Sequence, residues 1–330
     1  MNRKPPVLKL SKAILGFMQY KAAEALSART LEAYEQHLKQ FATYIGDVDI
    51  SQIGTPDIRR YLAWLHTDYQ PRRFGREAKP LSPKTIHNFW ITLSAFFSWA
   101  TTEFNLTNPM KAVPAPRFED APVEPFSRDE IEALLKVCEF CRPAETTDRY
   151  RFTMRRATGK RDRAIILTLL DTGLRASELC ALKIADVDQK TGRMTVKHGR
   201  AGAAKGGKGR SVFLGRAARR AMWLYLASRE DGEDPDAPLF LGKFGRSLTR
   251  DTLRQVIASL GEKAGVKKCH PHRFRHTMAI TYLRSGGDVF TLQALLGHSA
   301  LDMVQHYARI AEIDVEQAHR RASPADNWRL

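Results

Sequence analysis

The chain has 330 residues, is 43% hydrophobic, and carries a formal net charge of +17 with a sequence pI of about 9.9. That length and apolar content exclude a disordered chain and favour two packed domains over one. No apolar run approaches the ~20 residues of a membrane span and none of signal-peptide length follows the charged start. Four cysteines are too few for a disulfide framework. A cytoplasmic protein with a polyanionic partner and no membrane is therefore expected, although ribosomal and membrane-surface proteins share such a charge.

Residues 1–10 read as a leader, and helical spacing begins at Ser11. Ile14, Phe17, Met18 and Ala22 form a first apolar stripe; Leu31, Tyr34, Leu38, Phe41 and Ile45 form a second that stops at Gly46. A third helix starts at Thr55-Pro56-Asp57, with proline suited to a first turn, and a fourth follows Ser82-Pro83. Four such helices suffice for a small bundle over residues 11–107. Between the last two lies a basic loop with Arg72, Arg73, Arg76 and Lys79. It is either a solvated loop or a phosphate-contacting segment, since flexible cations gain affinity by displacing counterions from DNA.

Prolines at 109, 114, 116, 122 and 125 mark residues 108–125 as a linker. A second domain, 126–330, opens with Ser127 as an N-cap and Glu130 three residues on. Cys138 and Cys141 read as two thiols three apart on a helix rather than half of a zinc site, because Cys180 and Cys269 are isolated. Residues 142–161, with Arg149, Arg151, Arg155, Arg156, Lys160 and Arg161, read as an inserted surface segment. Residues 193–197 and 210–214 read as paired strands around a glycine-rich loop that holds Lys205 and Lys208. This is the one β element expected in a mostly helical domain.

Polar residues of one chemical kind then recur along the domain. Ile165, Ile166, Leu169 and Leu170 make a helical stripe that Gly173 ends, and Arg175 follows at a fixed turn before a helix with Glu178 in its first turn. An arginine held there suits bidentate binding of phosphate oxygens, or a surface ion pair. His272, Arg275 and His276 share one face of a helix started by Pro271. They read as a polar core cluster or an anion site; a metal fits less well beside a guanidinium. His298 follows Gly297 at a helix end, Ser299 with Asp302 starts another helix, and Tyr307 lies on it, as a packed aromatic or as a nucleophile.

In this order and spacing the chain resembles the tyrosine recombinases of the phage-integrase family, Xer-like and site-specific. Thr172 to Leu179 is similar to the family's first arginine motif, and His272-x-x-Arg275 to its second box. Leu296-Gly297-His298 and His306-Tyr307 match the end of that box, including the spacing from histidine to nucleophile. Lys205-Gly206-Gly207-Lys208-Gly209-Arg210 resembles the β-hairpin lysine motif. The N-terminal half carries a weaker signal. The resemblance implies a mainly α fold with a small β-hairpin or sheet: a helical core-binding (SAM-like) domain followed by an α+β catalytic domain with a tail helix.

The resemblance also implies the chemistry. Tyr307 would attack a scissile phosphate and form a 3′-phosphotyrosyl bond, with no ATP, metal or other cofactor. Arg175 and Arg275 would bind the non-bridging oxygens, His272 would take the phenolic proton, and His298 would donate to the phosphate. Lys205 would protonate the 5′-oxygen, with Lys208 as its rival, while Glu178 would orient neighbouring groups. Arg72, Arg73, Arg76, Lys79, Lys208 and Arg210 would contact DNA. Double-stranded recombination sites are the implied partner, met by a monomer in solution that becomes a homotetramer in the synaptic complex. The tail after Tyr307 would dock on a neighbouring subunit or pack on its own domain. No arm-binding domain is visible before Ser11, so a recombinase without arm sites is expected. A type IB topoisomerase and a DNA-binding protein that has lost catalysis are the competing readings. The two-domain layout and the His272-x-x-Arg275 box weigh against the first, and the filled catalytic positions against the second.

Overall fold

The computed structural model describes residues 8–71, 80–118, 124–140, 144–146, 149–152, 155–197 and 209–297, with Ser323 and Ala325. The chain divides into two compact units, Met1–Pro122 and Val123–Leu330.

Among the described residues the first unit holds four α-helices: α1 (Leu10–Ala23), α2 (Ala28–Ile45), α3 (Thr55–Thr67) and α4 (Pro83–Phe104). Their starts are set by local chemistry. The Ser27 and Ser82 hydroxyls accept the Thr30 and Thr85 amides at 3.2 Å, and Asp57 accepts the Gly54 amide at 2.9 Å. The apolar stripes meet in an aromatic centre, where Phe17, Phe41, Tyr61 and Phe96 are fully buried. Phe17 and Phe96 meet edge to face at 5.5 Å, and Phe41 and Tyr61 at 5.0 Å. Much of the proline-rich stretch is anchored to this unit: Thr55, Arg59 and Trp90 donate to the carbonyls of Pro109, Ala112 and Val113.

The second unit is mostly helical with two small sheets. Its order is α5 (Arg128–Glu139), β1 (Ala144–Thr146), β2 (Arg149–Phe152), α6 (Gly159–Thr172), α7 (Ala176–Ala181), β3 (Arg193–Val196), β4 (Arg210–Phe213), α8 (Arg216–Leu226), α9 (Arg250–Ala264), α10 (Pro271–Arg284) and α11 (Val289–Leu296). Ser127 and Glu130 form a reciprocal capping box at α5, at 3.1 and 2.9 Å. β3 and β4 pair antiparallel with Arg193 opposite Phe213 and Val196 opposite Arg210.

Within the segment 142–161, read from sequence as an inserted surface segment, there is regular structure. β1 and β2 form a second antiparallel ribbon, and α6 already starts at Gly159. Nor are all its arginines surface charges. Arg156 and Arg161 bind the fully buried Asp162 at 3.0 and 2.8 Å, and Thr158 donates to the same carboxylate. Charge satisfied in this way lets a carboxylate sit in the interior.

α6 is the central helix, packed against α5, α8 and α10. Ala164, Ile165, Ile166 and Leu169 are wholly buried, as expected of a helix covered on most sides. Its C-terminal end faces the first turns of α10 and the end of α11, and there the polar residues collect.

Candidate active site

The site is built on a turn that only glycine serves well. Gly173 caps α6 in the left-handed conformation at φ +59°, and an added Cβ would lie 3.0 Å from Leu296 Cδ2 and 3.2 Å from Met278 Sδ. The turn brings Arg175 to the start of α7 in an extended conformation. Its amide donates to Glu178 Oε2 at 2.8 Å and its Nη1 to Oε1 at 3.0 Å. The Arg175 side chain is 36% exposed, whereas that of Glu178 is fully buried.

Arg275 is the largest fully buried side chain of the molecule among the described residues. Its Nη1 donates to the Gly173 carbonyl and its Nη2 to the Leu296 carbonyl, both at 2.7 Å. One guanidinium thus joins the C-terminal ends of α6 and α11. His272 precedes it by three residues on α10, on the same face. Its ring packs edge to face on His276 at 4.3 Å, with an outer edge open to solvent. Desolvation by the surrounding protein holds the His272 imidazole below its ordinary pKa, and the charges of Arg275 and Arg175 push in the same direction. A neutral imidazole can accept a proton, which suits a base. Two guanidiniums therefore act on one imidazole where these helix ends meet.

Burial pushes the Glu178 carboxyl up, but the Arg210 bonds, followed by the Arg175 amide and charge, outweigh it and hold the group below the usual carboxylate range. Arg210 Nη1 and Nη2 meet Oε1 and Oε2 at 2.9 and 2.8 Å, and its Nε donates to the Leu295 carbonyl at 2.7 Å. The Arg210 fork, expected to contact DNA, is engaged inside the protein, and its side chain is 9% exposed. His276 is buried beneath His272, as a supporting residue would be. Arg273, between the two histidines, turns the other way: it forks onto Glu130, bonds the Lys267 and Glu124 carbonyls, and stacks 4.0 Å from the centre of the Phe126 ring.

Arg175, Glu178, His272 and Arg275 are thus brought together. Lys205, Lys208, His298 and Tyr307 lie outside the described residues, as do Arg72, Arg73, Arg76, Lys79 and Cys141. Sequence reasoning missed the Gly173, Leu295 and Leu296 carbonyls that orient the arginines. Main-chain acceptors have no residue signature; only the glycine caps at 173 and 297 hinted that chain ends meet here.

Residues 126–313 match the family model of the Phage integrase family, and residues 16–104 that of its N-terminal SAM-like domain. The chain belongs to the phage integrase family. This chain is 32% identical over 306 residues to a protein named Tyrosine recombinase XerC from Pelobacter propionicus, with 91% of this chain and 90% of that one covered. A second Tyrosine recombinase XerC, from Staphylococcus saprophyticus, is 28% identical, with 92% and 94% covered. Among solved structures, the Tn1549 transposon integrase in complex with transposon right end DNA superposes with a TM-score of 0.71 at 20% identity, covering 91% of this chain and 94% of that one. XerH site-specific recombinase in a post-cleavage complex gives 0.67 at 20% identity, with 96% and 85% covered. These two share the fold: a helical SAM-like unit and a mostly helical unit with small antiparallel sheets.

Proposed function

We propose that this chain is a site-specific recombinase that cuts and rejoins duplex DNA through a 3′-phosphotyrosyl intermediate. The observation that supports this most is the convergence of Arg175, Arg275 and a neutral His272 where the ends of α6 and α11 meet, with Arg275 tied to the carbonyl of Leu296, two residues before His298. In this reading the Tyr307 phenolic oxygen attacks phosphorus and its proton passes to His272. The P–O5′ bond breaks, and Lys205 gives the departing 5′-oxygen a proton. Arg175, Arg275 and His298 hold the non-bridging oxygens as their charge grows. The phosphodiester energy is kept in the protein–DNA bond, and a second 5′-hydroxyl reverses the steps.

Residues 11–107 serve as a DNA-binding core domain and 126–330 as the catalytic domain, joined by 108–125. Arg72, Arg73, Arg76 and Lys79 suit backbone contacts that would make binding fall steeply with salt. Four copies would assemble on paired sites, in the cytoplasm. Among the described residues no helix is long and apolar enough to cross a membrane.

The test is covalent capture. A randomised pool of nicked duplexes is incubated with the wild-type chain, and DNA that stays attached through denaturation is sequenced. A defined site should emerge. Tyr307→Phe should still retard that duplex but yield no adduct. Recovery of no attached DNA by the wild type, or an undiminished adduct with Tyr307→Phe, sinks the reading.

A further inference from the structure

We propose that Arg210 is a positioning residue: it neutralises the buried Glu178 carboxylate so that the Arg175 guanidinium stays available to the DNA phosphate. The inference rests on the reading of Arg175 as a phosphate ligand. Two guanidiniums share one carboxylate unequally. Arg210, nearly buried, takes both oxygens side by side at 2.9 and 2.8 Å. Arg175, half-exposed, takes one of them through a single Nη1 at 3.0 Å, besides its main-chain amide. Among the described residues its Nη2 and Nε have no other partner, so an outward-facing edge of the fork is left for an anion.

Remove Arg210 and the balance changes. A carboxylate with no exposure keeps its charge only if a cation answers it. Arg175 would then be its one remaining guanidinium, and the strongest available geometry is a two-oxygen fork. Adopting it turns Arg175 inward, away from any phosphate. Arg210 also donates Nε to Leu295 in the last turn of α11. Gly297 sits against the same group: it is left-handed at φ +62°, and an added Cβ would lie 3.0 Å from Arg210 Nη1. β4, α7 and the chain that leads into His298 are thereby referred to one carboxylate.

The experiment uses the full chain and the nicked duplex recovered by covalent capture. Arg210→Gln should slow single-turnover adduct formation by about 10- to 100-fold, the scale of a small misplacement in a site. Adding Glu178→Gln removes the uncompensated charge and should recover at least about tenfold of the lost rate. In Arg210→Gln alone the rate relative to wild type should rise on acidification, because the Glu178 carboxyl, with less cation to hold it down, protonates sooner. Arg210→Lys keeps a cation beside Glu178 and should remain within about tenfold of wild type.

A purely architectural role predicts otherwise: the double variant would be at least as slow as Arg210→Gln, and Arg210→Lys as slow as Arg210→Gln. Either result overturns the proposal. So does a salt slope about one lower in the double variant, where Arg175 is free again, which would make Arg210 a direct phosphate contact. Should Arg210→Gln fail to fold, the charge-neutral double variant and Arg210→Lys are read against wild type, and a loss well beyond about tenfold in either overturns the proposal. Arg175→Ala that forms adduct at the wild-type rate refutes the underlying site reading instead.

Discussion

Gly173→Ala probes the site without touching a charged group. Residue 173 sits at φ +59°, a conformation that costs an L-residue roughly 1–2 kcal/mol. The Cβ contacts at 3.0 and 3.2 Å require Leu296 or Met278 to give by a few tenths of an ångström. For a unit of this size, ~1–2 kcal/mol lowers Tm by about 2–8 °C, so the protein stays folded. The Gly173 carbonyl holds Arg275 Nη1 at 2.7 Å and the same turn carries Arg175, so a small shift moves both guanidiniums. Since ~1 Å of misplacement costs ~100-fold, a loss of about 10- to 100-fold in single-turnover cleavage is expected, with DNA affinity retained. Gly265→Ala is the control. It caps α9 in the same conformation, at φ +72°, with nothing within 4 Å of an added Cβ. It should show the same backbone penalty in Tm and near-normal cleavage. Equal loss of cleavage in both variants, or full cleavage by Gly173→Ala, would refute the argument.

The other expectations are as direct. His272 has a folded pKa below its unfolded value, so the unfolded chain takes the proton first as pH falls below about 6.5. That group's contribution to stability is present above this pH and lost below it, and cleavage should persist past pH ~6.5 before its acid limb; a ring that titrates by NMR above pH ~6.5 contradicts this. Asp162→Ala leaves the Arg156 and Arg161 guanidiniums without their shared carboxylate and should cost about 3–5 kcal/mol in urea unfolding. An unchanged midpoint would mean that the cluster contributes nothing net. Lys205→Ala should regain cleavage on DNA with a 5′-bridging phosphorothioate, because sulfur leaves without a proton; rescue of Lys208→Ala alone would move the acid to Lys208.

The features legible in the sequence were those with short-range causes. Apolar spacing marked α2, and Ser82 and Ser127 marked the starts of α4 and α5; Gly46 and Gly173 marked helix ends; two short runs around a glycine-rich loop marked β3 and β4. The ribbon of β1 and β2 was not legible, because its strands are 3 and 4 residues long in a run dominated by arginine. Within the site, Arg175, His272 and Arg275 stood out by motif. The partner of Arg210 did not, since Glu178 lies 32 positions earlier, on a different element. Nor did that of Arg273, 143 positions from Glu130. Basic residues read alike in one dimension, whether they face solvent or close an interior ion pair; only the fold distinguishes them.

The double tie made by Arg275 has a practical corollary for anyone wanting an inert version of this protein. Truncating that side chain withdraws a cation and unfastens two helix ends together, so the resulting silence would be ambiguous between lost chemistry and a collapsed scaffold. On the proposed chemistry, a dead mutant meant for trapping uncut complexes is better made at the Tyr307 phenol, where a single oxygen atom can be deleted.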